Sequence, residues 1–566
     1  MADFDFIVVG SGMSGGWVAK ELCERGFKVA VVERGREIKP EEDYTDFADP
    51  WDMEYLNRKS DKTLEEYPIQ SEVYAFHNYT KQFWVKDSEH PYEVPEGQDY
   101  KWRRGHHVGG RSIMWARQSY RLSEIDFTAN KREDWAVDWP VRYADIAPWY
   151  DHVERFAGIS GSMEGLDILP DGVFQPAHEF TCAERDFKAA VESAFPGRKV
   201  IPGRTANLTQ PTPEQTALGR GQCQARDHCF RGCSFGAYFS SNSATLPAAE
   251  RTGNLTLITD VAVHKLIHDE ATNRVTGVQG VNTKTMEGVT ITGDAVFLNA
   301  SAIVSPMILL NSATSYAPNG LANSSGQLGH NLMDHCSGAR GYGPMPGHLD
   351  RHHYGRRPNG FYIPRFRNHT EDGEGFRRGY GYQGRIYRAG WGGRTRGPGI
   401  GADLKAGMRE PGPWYFGVVA FGEVLPRFEN HVRLHATRTD KWGFPVPVID
   451  AKNSQNEINM MRQATRDTQA MMKAAGIEWA RGDDPETAMP SPPGDGIHEM
   501  GTARMGRDPA TSVLNAYNQS HDIPNLFISD GSFMTSAGCQ NPSLSYMAFS
   551  ARAADHAAKL KKDGVI

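Results

Sequence analysis

Residues 4–35 read FDFIVVGSGMSGGWVAKELCERGFKVAVVERG. FDFIVV is a short, mostly apolar run, suited to a buried strand, and it stops at Gly10. Gly10, Gly12 and Gly15 follow in G-x-G-x-x-G spacing, Val18, Leu22 and Cys23 then fall on one side of a helix, and VAVV returns as a second strand running into Glu33. Strand, glycine turn, helix and strand make a βαβ unit. Glycine suits this turn because a pyrophosphate approaches the backbone too closely for a side chain, while the helix N-terminus supplies N–H donors and a positive dipole. Glu33, about 20 residues on, is placed to accept from a ribose hydroxyl. The motif does not choose between FAD and NAD, and a plain glycine turn in an ordinary βαβ unit is the alternative.

Outward from this unit, residues 36–100 lose periodicity and are rich in Glu, Asp, Pro and Tyr, which predicts loops and short helices wrapped over the core. LTLITDVAVHKLIHD (255–269), VTGVQGVN (275–282) and DAVFLNASAIVSPMILLNSA (294–313) extend the nucleotide domain. Between 340 and 415 the chain is rich in Gly, Arg and aromatic residues without helical spacing, and strands resume at YFGVVAFGEV (415–424) and HVRLHATR (431–438), which reads as a separate substrate-side sheet. The tail closes on the helical run PSLSYMAFSARAADHAAKL (542–560). The expected class is α/β, α+β overall. A Rossmann-like domain is expected from 1–36, 95–125, 200–330 and 495–566. A second domain, on a mostly antiparallel sheet with wrapping loops, is expected from 37–94, 126–199 and 331–494. With 566 residues, two intimately joined domains are the natural expectation. The net charge of −7 gives no pull toward nucleic acid. No stretch reaches the roughly 20 apolar residues that cross a bilayer, and MADFD leads straight into the first strand, so no export signal is expected on this chain.

Several segments recur in a fixed order: HVGGRSIMWARQSYR (107–121), SAIVSPMILLNS (301–312), GQLGHNLMDH (326–335), HEMGTARMG (498–506) and ISDGSFMTSAGCQNPSLSYMAFSARAADH (528–556). Together with the opening fingerprint they resemble the glucose–methanol–choline (GMC) oxidoreductases over nearly the whole chain. The resemblance implies FAD and a substrate domain of the p-hydroxybenzoate-hydroxylase kind. It implies that Gly109, Gly110, Asp530 and Gly531 lie along the cofactor and that Val263 meets the adenine through its backbone. Met114 stands in the stretch where some sugar oxidases of the family carry a flavin-bound histidine, so the FAD is expected to be non-covalent; His106 and His107 just upstream read as structural or solvated.

Removing hydride from an alcohol requires a base that takes the hydroxyl proton, and imidazole suits the task. Among 20 histidines composition singles out none. His498 is set apart because H-x-x-G-T is where the resembling family places its catalytic histidine, and the second catalytic position falls on Asn541. An asparagine amide can donate to and accept from the substrate oxygen. Asn541 before Pro542 also reads as the N-cap of the last helix, whose N-terminus would stabilise charge on a reduced flavin.

QCQARDHCFRGCSFGA (222–237) spaces Cys223, Cys229 and Cys233 as C-x5-C-x3-C. Thiols so grouped ligate iron–sulfur clusters, or zinc with His228 as a fourth ligand; a disulfide or plain buried thiols are the alternatives. The spacing resembles the large subunits of bacterial FAD-dependent glucose, fructose and gluconate dehydrogenases and of glucoside 3-dehydrogenases. That resemblance implies a [3Fe–4S] cluster, a cytochrome c or quinone-linked acceptor, and a small subunit whose export signal carries the pair to the periplasm, with the cytoplasm as the alternative. The expected activity is oxidation of a sugar or glycoside hydroxyl, at C3 as in glucoside 3-dehydrogenases. The rivals are a pyranose- or C-glycoside-type oxidase with structural cysteines, and a non-catalytic flavoprotein subunit, against which the presence of both His498 and Asn541 argues. Tyr, Trp and Arg residues of 376–396 could stack on pyranose faces or line an ordinary loop, and the loop is favoured.

Overall fold

The computed structural model describes residues 2–49, 51–352, 358–388, 399–409 and 412–566. β1 (Phe4–Val9) opens the chain, α1 (Met13–Glu24) crosses over, and β2 (Val29–Val32) returns parallel to β1 with Phe6 opposite Val29. Alternate side chains of β1 enter opposite cores. Phe6 and Val8 pack with Val18, Leu22 and Ala553, whereas Ile7 and Val9 pack with Trp17 and Leu298. A strand buried on both faces is what a continuous apolar run encodes. β3 (Leu255–Ile258), β4 (Val261–Asp269), β5 (Arg274–Asn282) and β6 (Gly288–Leu298) complete the sheet in the order β3-β2-β1-β6-β5-β4, with Leu526–Ile528 pairing in parallel to β6. Helix α2 (Val304–Asn311) follows β6, as expected from the sequence. Between 36 and 100 no helix among the described residues exceeds six residues.

The second sheet is antiparallel. β7 (His335–Met345), β8 (Phe361–Ile363), β9 (Tyr380–Arg388) and β10 (Trp414–Glu423) lie in the order β7-β10-β9-β8, and Arg481–Gly482 and Ile201–Pro202 add to its two edges. Ile201, within the stretch 200–330 expected in the nucleotide domain, therefore pairs with Tyr362 of the other sheet, where it joins the cluster of Tyr120 and Tyr362. HVRLHATR departs from expectation. β11 (His431–Thr439) pairs with β12 (Pro445–Asp450) as a separate two-stranded ribbon. Of the residues of β11 only Val432 is buried, so β11 has no apolar face with which to join the main sheet. The helix Ala402–Arg409 was also unforeseen: it fully buries none of its residues, and its apolar side is only Leu404 and Met408 in a glycine-rich stretch. α3 (Gln455–Ala474) covers the sheet with Met460, Met461, Ala464, Met471 and Met472, and starts at a Ser454–Glu457 capping box. Residues 380–388 of the aromatic stretch are strand β9, and 389–396 lie outside the described residues. α4 (Ser543–Lys562) closes the chain against α1, with Ala553, Ala554 and Ala557 letting the two helices approach.

Candidate active site

The glycine turn is built for a nucleotide. Gly10 has φ +96°, and a β-carbon there would lie 2.4 Å from the Asn299 carbonyl oxygen; one on Gly15 would lie 1.9 Å from the Gly10 oxygen. Those two glycines let α1 sit against the strands. Gly12 is different, because a β-carbon on it would meet only the Gly109 oxygen at 4.0 Å, so the space it faces is open to a ligand. Gly109 and Gly110 form a second turn beside the first, tied by a 2.9 Å bond from the Gly109 N–H to Ser11 Oγ. α1 has no side-chain cap at Gly12, so its first N–H groups are left for an anion. Glu33 is buried and accepts from Ser11 N (3.1 Å), Ser11 Oγ (2.6 Å) and Gly35 N (3.0 Å). A carboxylate offers about four acceptor sites, which leaves capacity for a ribose hydroxyl. Burial raises the Glu33 pKa above the carboxylate range, against these donors.

Beyond Glu33 opens a cleft of about 590 Å³ lined by Arg34, His106, Val263 and His264. Arg34 Nε, His106 Nδ1 and His264 Nδ1 are buried there without partners, as a site awaiting a polar ligand requires. The residues present therefore fit FAD: the cleft of Val263 and Arg34 would take its adenosine end and the glycine turns its phosphates. The Asp530 carboxylate is saturated by Ser301 N, Ser305 Oγ, Ser532 N and Ser532 Oγ, and the carbonyls of 530 and 531 also accept hydrogen bonds, so toward a cofactor it is the backbone N–H groups there that remain to act. Met114 is buried with Ile38, Phe83 and Trp84 as an ordinary hydrophobe, and His107 Nδ1 is engaged by the Val108 carbonyl at 3.0 Å.

His498 and Asn541 come together across 43 residues, with His498 Nε2 3.3 Å from Asn541 Nδ2. Two residues that the sequence alone does not single out complete the arrangement. His335, at the start of β7, places Nδ1 2.9 Å from His498 Nδ1, and its Nε2 lies 2.8 Å from the Gly538 carbonyl oxygen. Gln383, in β9, donates from Nε2 to Asn541 Oδ1 at 2.6 Å. The Asp334 carboxylate accepts from the backbone N–H of His335, Gly494, Gly496 and His498, fixing the loop that carries the base onto β7. Asn541 is not the helix cap: Pro542 holds that position, no side chain caps it, and the Asn541 amide is committed to Gln383 and His498. Burial holds His335 down to about 4 and, with the neighbouring His335 ring and the Arg111 charge, holds His498 well below the usual imidazole range. Arg111 is itself paired with Glu499 at 2.7 Å. Two neutral imidazoles beside an amide, at the seam between a nucleotide-binding sheet and an antiparallel sheet, can take a proton and hold an oxygen.

The three cysteines line one pocket of about 350 Å³ with Asp227 and His228. All seven cysteines are free, so the disulfide alternative is not met. Among the described residues no three His, Cys, Asp or Glu side chains are placed to hold a metal ion, so the arrangement of Cys223, Cys229 and Cys233 supports neither the iron–sulfur nor the zinc expectation. His228 Nδ1 is instead 2.9 Å from the Asp46 carbonyl. Asp46, buried and also unforeseen, staples the loop through Arg226 Nη2 at 2.5 Å and Ser234 Oγ at 2.7 Å. Burial and the neighbouring thiols raise the pKa values of Cys223 and Cys233.

Fold and site define the class of dinucleotide-dependent oxidoreductases. The family model described as GMC oxidoreductase matches in two parts, residues 4–337 and residues 426–550. The chain belongs to the GMC oxidoreductase family, and its cofactor is FAD. It is 28% identical over 576 residues to a 2-methyl-1,2-propanediol dehydrogenase of Mycolicibacterium austroafricanum, covering 99% of this chain and 96% of the relative. It is 26% identical to the fructose dehydrogenase large subunit of Gluconobacter japonicus, covering 97% of each. The solved formate oxidase of Aspergillus oryzae RIB40 shares the fold, with a TM-score of 0.63 at 16% identity over 99% of each chain. No helix among the described residues is long and apolar enough to cross a membrane.

Proposed function

We propose that this protein is a dehydrogenase that oxidises a sugar or glycoside hydroxyl, at C3, to a ketone. The observation that carries the reading is the 3.3 Å approach of His498 Nε2 to Asn541 Nδ2, beside His335 and Gln383 of the antiparallel sheet. FAD, when bound, supplies the hydride acceptor. His498 takes the hydroxyl proton as the base, and Asn541 donates to the same oxygen, so that negative charge developing on it is met by a fixed N–H. The polar strand β9, with Gln383 beside Asn541, is the surface against which a hydroxylated ring would bind. The relatives named for a diol and for fructose support an alcohol or sugar as substrate.

Cys223, Cys229 and Cys233 would hold a [3Fe–4S] cluster, which supplies one-electron transfer to an external carrier such as a cytochrome c or a quinone-linked acceptor. The C-x5-C-x3-C spacing and the one pocket that the three thiols share support this reading. The relative named a large subunit supports a small-subunit partner. On this reading that partner brings the export signal, and the complex works in the periplasm. The second reading is an FAD sugar oxidase with structural cysteines, favoured by the raised pKa values of Cys223 and Cys233, which keep those thiols protonated. Incubation of the FAD-loaded protein with methyl β-D-glucopyranoside, product identification by NMR, and iron, sulfide and peroxide analysis decide between them. A 3-keto product with iron and sulfide bound and no peroxide is expected. Peroxide without iron establishes the oxidase, and no product from any sugar overturns both readings.

A further inference from the structure

His335 has no part in the chemistry above, yet its hydrogen bonds constrain that chemistry. The Gly538 carbonyl can only accept, so His335 Nε2, 2.8 Å away, carries hydrogen. A neutral imidazole has a single N–H, which leaves His335 Nδ1 as a bare lone pair. His498 Nδ1, at 2.9 Å, must therefore be the donor, and the lone pair of His498 falls on Nε2. That lone pair faces Asn541 Nδ2, which donates, while Asn541 Oδ1 turns away to accept from Gln383 Nε2 at 2.6 Å. The reverse polarity would need either a buried imidazolium at His335 or a ring lone pair facing a carbonyl lone pair at 2.8 Å. Burial disfavours the first, holding His335 down to about 4.

We propose that His335 is the positioning residue that makes His498 Nε2 the base, by locking His498 as its Nδ1–H tautomer, with Gln383 locking the Asn541 amide so that its N–H faces the same oxygen. This rests on the reading of His498 as base. A substrate hydroxyl would insert between Nε2 and Nδ2. Its proton moves to Nε2, the C–H electron pair leaves with the hydride to FAD, and the C–O bond becomes C=O. His335 Nδ1 goes on accepting from His498 Nδ1–H throughout, so no second proton need move.

The test uses full-length, FAD-loaded protein with ¹⁵N-labelled imidazoles, His498 being assigned by the signals lost in His498→Gln. His335→Asn keeps an acceptor where Nδ1 stood; His335→Gln reaches Gly538 but offers His498 none. The proposal expects an Nδ1-protonated His498 in the wild type and in His335→Asn, and the Nε2-protonated form in His335→Gln. Flavin reduction by methyl β-D-glucopyranoside should slow on the order of 10²–10⁴-fold in His335→Gln and recover most of the way in His335→Asn. An Nε2-protonated His498 in the wild type, or equal impairment of the two variants, overturns the proposal. Should His498→Ala reduce flavin at the wild-type rate, the base reading falls while the tautomer assignment stands, so the two failures are told apart.

Discussion

His498 can accept a proton only while neutral. Because burial lowers its pKa, the protonated form becomes dominant only well below pH 6.5. The acid limb of kcat/KM should therefore lie below pH 6.5, and a limb at or above that value would show that another group is titrating. The same burial sets a stability dependence. His335, with a folded pKa of about 4 against 6.5 unfolded, contributes stability that is present above pH 6.5 and lost as pH falls toward 4. His335→Asn should flatten the fall in melting temperature across that window, whereas an unchanged slope would mean that the ring is not the titrating group. Asn541→Asp removes the N–H that meets the reacting oxygen, so kcat should drop about 10²–10³-fold with a smaller change in KM, read by steady-state kinetics. His498 and Asn541 were legible because each lies inside a contiguous motif. His335 sat in a quoted motif without a role, since its partnership with His498 spans 163 residues and only the fold creates it. Gln383 sits in an aromatic-rich stretch that reads as loop, and its bond to Asn541 spans 158 residues.

Elements place these residues, and their tolerances are tight. Gly15→Ala would set a methyl 1.9 Å from the Gly10 carbonyl, a backbone atom that cannot swing aside. The variant should purify with little FAD and a lowered melting temperature; a flavin-to-protein ratio equal to wild type would contradict this placing of α1. Asp46 holds the cysteine loop from a different part of the chain. Asp46→Ala releases the half-buried Arg226 and the exposed Ser234 to water, for which a loss of about 1.5–3 kcal/mol is expected by denaturant unfolding. The βαβ unit was readable because periodicity and turn chemistry are local signals. The β11–β12 ribbon was misread for the same reason: a strand-like run does not say which sheet it joins, and β11 lacks the apolar face that would have placed it. The Asp46 staple leaves no trace in the sequence, where it is one acid among many in an acidic stretch.

At the scale of the whole molecule, two sheets of unlike design meet at one pocket. The nucleotide sheet and its glycine turns would hold the cofactor, and Asn541 stands just ahead of α4. The antiparallel sheet brings His335 on β7 and Gln383 on β9. Neither sheet alone carries a complete site, which accounts for a chain that leaves and re-enters each layer. The central claim is that this pocket takes hydride from an alcohol with His498 as base. Its most direct test is anaerobic stopped-flow mixing of the FAD-loaded protein with methyl β-D-glucopyranoside and other sugars and diols, with flavin absorbance followed in wild type and His498→Ala. The account predicts rapid bleaching in the wild type by at least one of them, and slowing of at least about 100-fold in the variant at equal FAD occupancy. Flavin that none of them bleaches, or equal rates in the two proteins, would contradict it.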